Sequence, residues 1–145
     1  MSKANSKKGT VKSQMQTAGK EFTPDHLPDI TTQQKLLNNK TFPEKYRAQI
    51  ILALLHFPEL INVKIRFEEK RQWFPLASRP NWKTLWKDRN DREYLILLSI
   101  ESPFFPGDLL FQNLPFNAQI GILGHELCHT VFFLNKKIWK YFLSL

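Results

Sequence analysis

His125, Glu126 and His129 are the residues whose types and spacing best suit chemistry, within Gly124-His125-Glu126-Leu127-Cys128-His129-Thr130-Val131. On an α-helix, positions i and i+4 share a face, so the two imidazoles can converge on a single ion. Zn²⁺ accepts imidazole nitrogen readily and keeps an open position when only three protein groups bind it. Glu126 projects from the same helix and can reach a water polarised by the ion without ligating the metal itself. There it can act as general base while zinc lowers the water's pKa, giving a nucleophile at neutral pH. Three fixed positions of such residues arise by chance in roughly one chain of this length in several hundred.

The element that must present them is a helix. Ile120, Ile122, Leu123, Leu127, Val131, Phe132, Phe133 and Leu134 make Asn117 to Leu134 strongly apolar, and no proline follows Pro115. This predicts a buried helix, with Asn113 or Leu114 as its cap before Pro115. Buried His, Glu and His side chains need partners, and one metal ion satisfies all three at once. The alternative is a core helix whose histidines only hydrogen-bond to neighbours. Cys128 is read as a small uncharged residue packing between this helix and a sheet.

The motif resembles that of the HExxH metallopeptidases, the zincins. Uncharged Leu123 before it, Leu127 and Cys128 within it, and Thr130 and Val131 after it are similar to that family's wider pattern. The chain also resembles uncharacterised bacterial HExxH proteins built of a helix, a few strands and then the active-site helix. The resemblance covers roughly residues 41–145 and is sharp over 117–131. It implies an α+β, zincin-like fold: a small mixed sheet with a packing helix and an HExxH helix. It further implies a zinc-dependent peptidase, with Zn²⁺ on His125 and His129, Glu126 as catalytic base, and a peptide or protein as substrate. In metzincins a third histidine lies six residues after the second; here that position is Asn135, and Phe132 stands where a glycine is required. In gluzincins the third ligand is a glutamate on a later helix, yet none of the sixteen residues after His129 is Glu, Asp, His or Cys. The comparison therefore points to a gluzincin-type peptidase that is incomplete at its C-terminus. A catalytically inactive zincin-like binding module is the alternative.

At 145 residues the chain is long enough for one domain with a real core. Residues 1–29 read as a flexible basic segment and connector, and residues 30–145 as the zincin-like domain. A single cysteine excludes an internal disulfide and suits a reducing compartment. Residues 1–20 hold five lysines, no acid and no apolar core of a signal peptide, and no run of eighteen apolar residues exists. Together these predict a cytoplasmic protein. The five lysines account for most of the net charge of +8, and such a tail is most simply a solvated extension.

In chain order, Ile30 to Asn39 suggests a short polar helix. Thr41-Phe42-Pro43-Glu44 reads as a helix start, with Thr41 or Phe42 at the cap. Tyr46, Ile50, Leu54 and Phe57 then recur at helical spacing. His56 at that helix's end and His26 in the proline-punctuated connector are the other imidazoles able to supply a third ligand, although a helix C-terminus favours histidine by its dipole alone. Asn62 to Glu68 alternates as a half-buried strand should, and Gln72 to Leu76 reads as a weak strand. Trp73, Trp82 and Trp86 lie among Lys70, Arg71, Arg79, Lys83, Lys87, Arg89 and Arg92, a mixture that can stack bases and hold phosphates. Glu68, Glu69, Asp88, Asp91 and Glu93 dilute that charge, so the tryptophans are read as partial core, and nucleic acid is not the expected partner. Tyr94 to Ile100 is apolar enough for a strand covered on both faces. By the resemblance it could hold extended substrate at a sheet edge; a purely internal strand is the alternative. Glu101 to Gln112 is a loop expected to wall the cleft. Ile138, Trp139, Tyr141, Phe142, Leu143 and Leu145 form a last apolar segment that docks on the core, lies on a membrane surface or marks a truncated chain.

Overall fold

The computed structural model of the chain describes residues 23–72, 74, 76–104, 106–135 and 136. The readings of the basic N-terminal segment, Trp73 and the C-terminal apolar segment fall outside these residues. Within them the fold is α+β. Helix α1 spans Ile30–Leu37, strand β1 Lys40–Thr41 and helix α2 Arg47–Leu54. Strands β2 (Lys64–Arg71), β3 (Leu76–Pro80) and β4 (Glu93–Glu101) follow, and helix α3 spans Phe116–Asn135. The sheet is mixed, in the order β1-β2-β4-β3. β2 runs parallel to both β1 and β4, while β3 is antiparallel to β4 and forms one edge.

Alternation decides which face of each strand meets the helices. Ile65 and Phe67 of β2 lie in register with Tyr94 and Ile96 of β4, and Leu76 of β3 faces Leu98. Ile65, Phe67, Leu76, Ile96 and Leu98 join Ile50, Ile51, Leu54, Leu123 and Leu127 in one buried cluster. Leu95 and Leu97, on the opposite face of β4, are buried too. The strand is therefore covered on both sides, as its unbroken apolar run requires. It is also interior, hydrogen-bonded to β2 on one edge and β3 on the other. That excludes it as the edge that would take a peptide.

Several local expectations shift. Thr41 is no helix cap: it pairs with Arg66 in β1, and Pro43 caps a 3-10 turn, Glu44–Tyr46, that leads into α2. Only the reversal at Asn39, with φ of 61°, lets the chain leave α1 and enter the sheet. The strand expected over Gln72 to Leu76 is β3, which begins at Leu76 rather than ending there. Trp82 and Trp86, read as partial core, are 41% and 72% exposed, on the turns between β3 and β4. Pro115, rather than Asn113 or Leu114, occupies the N-cap of α3.

Lys40 of β1 shows how the sheet edge is closed. Its Nζ donates to the carbonyls of Leu60, Ile61 and Asn38, at 2.8, 3.1 and 3.1 Å. Burial pulls this ammonium down to about 8. Among the described residues no helix is long and apolar enough to cross a membrane.

Candidate metal centre

Helix α3 packs against α2 on one side and the edge strand β3 on the other. Leu123 and Leu127, four residues apart, are both fully buried beneath it. Each contributes roughly 1.5–3 kcal/mol of apolar burial, which sets the rotation of the helix about its axis. A second restraint acts near the N-terminal end. Gln119 is buried, donates from Nε2 to the Phe111 carbonyl at 2.9 Å, and accepts at Oε1 from Gln49 Nε2 at 2.9 Å. Phe111 is itself locked edge-to-face on Tyr46, with ring centroids 4.9 Å apart. The Glu101–Gln112 loop thus anchors the helix through Phe111. At the other end Arg89 Nη2 donates to Asn135 Oδ1 at 2.8 Å.

With the rotation fixed, the motif divides. Glu126 lies on the buried flank, 9% exposed, while His125, Cys128 and His129 face outward. The helix is therefore buried on one face only, and the histidines are exposed rather than buried. Cys128 correspondingly does not pack between helix and sheet; it lies on the outward stripe because it follows His125 by three residues.

The two imidazoles converge as the spacing requires. His125 Nε2 and His129 Nε2 are 3.1 Å apart, and the rings meet edge-on at 81°. Two nitrogens on one tetrahedral zinc, each at about 2.0–2.1 Å from it, lie about 3.3 Å apart. The observed separation is close to that figure. The Glu126 carboxylate completes the group, and the ligand atoms of all three residues lie within 4.8 Å of one another. Imidazole and carboxylate are both ordinary zinc donors, so these residues fit the ion.

His26 and His56 do not join them. His26 Nδ1 accepts from the Thr23 backbone N–H at 3.1 Å, in its own 3-10 turn. His56 continues the end of α2, its N–H donating to the Ala53 carbonyl. Among the described residues no further His, Cys, Asp or Glu enters the group.

No protein-family model, curated protein or solved structure matches the chain.

Two features of the site escape a reading of the residues alone. One is β3, the edge strand beside α3; Pro80 at its end carries the signal, since proline in a sheet is confined to edges and bulges. The other is the Gln49–Gln119–Phe111 chain, signalled only by a lone glutamine in an apolar helix.

Proposed function

We propose that this chain carries the catalytic helix of a zinc-dependent peptidase of zincin type, acting in the cytoplasm. The observation that supports it most is the convergence of His125 and His129 at 3.1 Å beside the Glu126 carboxylate. Zinc, when bound by these residues, supplies Lewis acidity and a lowered pKa for water. On this reading Glu126 is the general base, its carboxylate taking a proton from water at the site and returning it to the departing amine. β3 pairs with β4 on one side only among the described residues, so its outer edge offers backbone donors and acceptors beside α3. An extended peptide fits such an edge by adding a strand.

The test is hydrolysis of a quenched peptide library by the zinc-loaded chain, with Glu126→Gln beside it. Loss of turnover in the variant with zinc retained supports the assignment. Equal turnover in both proteins sinks it. A second reading, a non-catalytic zincin-like binding module, draws on one specific observation. Among the described residues the site has two imidazoles and Glu126, with no separate third ligand. Full zinc loading of the wild type without hydrolysis of any peptide favours that reading.

A further inference from the structure

We infer that zinc pairs two copies of this chain face to face across α3, each copy giving His125 and His129 to one shared ion. The inference rests on the reading of these histidines as zinc ligands, and it assigns that site a form of self-regulation.

The donor inventory carries it. The chain holds four histidines and one cysteine. His26 and His56 lie outside the group, and of the residue types that bind zinc only Glu21 falls beyond the described residues. Among the described residues zinc therefore meets two exposed imidazoles and a carboxylate on the buried flank. Zinc in closed sites is four-coordinate and tetrahedral, so the outward positions remain open. In the hydrolytic state those positions serve water and substrate. A second copy offers two imidazoles with the same spacing, and a two-fold axis through the ion brings both pairs onto it.

The face allows this approach. Gly121, His125, Cys128, His129 and Phe132 are exposed along one stripe of α3. A side-chain carbon added at Gly121 would meet nothing within 4 Å, so among the described residues no other element crowds the helix there. Phe132, 55% exposed and three residues beyond His129, adds apolar surface beside the ligands. Four imidazoles leave no position for water. The paired form is thus the inactive one, and specific activity falls as chain concentration rises.

Sedimentation velocity of the 145-residue chain, titrated with zinc chloride in reducing buffer, tests it. The expected result is a monomer without zinc and a dimer with it, saturating at one zinc per two chains and reversed by a chelator. His129→Ala stays monomeric at every zinc concentration. Phe132→Glu still binds zinc but pairs at least about tenfold more weakly, as expected for an interface aromatic. A monomer holding one zinc per chain overturns the pairing while leaving the zinc site intact. Absence of zinc binding overturns both. A dimer that forms without zinc and persists in His129→Ala overturns pairing through the metal.

Discussion

The two faces of α3 are made from one twenty-residue segment yet obey different physics. On the inner face Leu123 and Leu127 are fully buried and Gln119 is held by two hydrogen bonds. On the outer face His125 and His129 meet solvent and each other. The inner face sets where the outer one points, whereas the outer residues contribute little to holding the fold. If the proposed site is right, chemistry and stability rest on separate residues of one helix, and substitutions should affect them separately. Glu126 stands at the boundary, buried in place but chemical in type.

The sharpest way to break that division is Glu126→Gln. A general base contributes about 10²–10⁴-fold in rate, so turnover should fall by that much with the thermal midpoint nearly unchanged. A large loss of stability instead would place Glu126 with the inner face. His129→Ala comes next. Zinc affinity measured by competition with a chromophoric chelator should drop by more than about 100-fold, since even partners behind the ligands are worth 10–100-fold. Its unfolding free energy without metal should stay within about 0.5 kcal/mol of wild type, as for other exposed substitutions.

Leu127→Ala tests the inner face. Denaturant unfolding should show a loss of about 2–5 kcal/mol, the range for a buried leucine truncated to a cavity. Gln119→Ala should cost less, about 1–3 kcal/mol, because it removes the hydrogen bonds to Gln49 and to the Phe111 carbonyl, which keeps only the Leu114 N–H. It should also loosen zinc binding slightly through the helix it positions, which His129→Ala cannot do to stability in return.

The effect farthest from the site lies away from the helix, at Lys40. Its folded value of about 8 is below the ordinary lysine value of 10.5, so the folded state releases this proton first. The unfolded chain then binds more protons between those two values, and stability rises as pH increases from about 8 to 10.5. Urea unfolding across that window should show the rise in wild type and a flatter profile in Lys40→Met. A rise confined to lower pH would assign it to another group.

Much of the helix and the approach of its two histidines was legible because both depend on local spacing. The four-residue interval from His125 to His129 puts two imidazoles on one face of any α-helix, and the observed segment extends the expected one by a residue at each end. The strand through Tyr94 to Ile100 was legible for the same reason, an apolar run too long to leave either face wet. Trp82 and Trp86 were not, because their burial depends on whether another element crosses over two short turns. The edge position of β3 was equally hidden: strand order is a relation between segments far apart in sequence.

Cys128 and the histidines mark where local pattern stops being enough. An apolar helix was expected to be buried all round, yet α3 meets only α2 and β3 among the elements it packs against extensively. By itself the sequence determined which residues can bind a metal, since side-chain chemistry and helical period are properties of the chain. Whether those residues face core or solvent was decided only by tertiary packing. The apolar area of Leu123 and Leu127, withdrawn from water against α2 and the sheet, turns the opposite stripe outward.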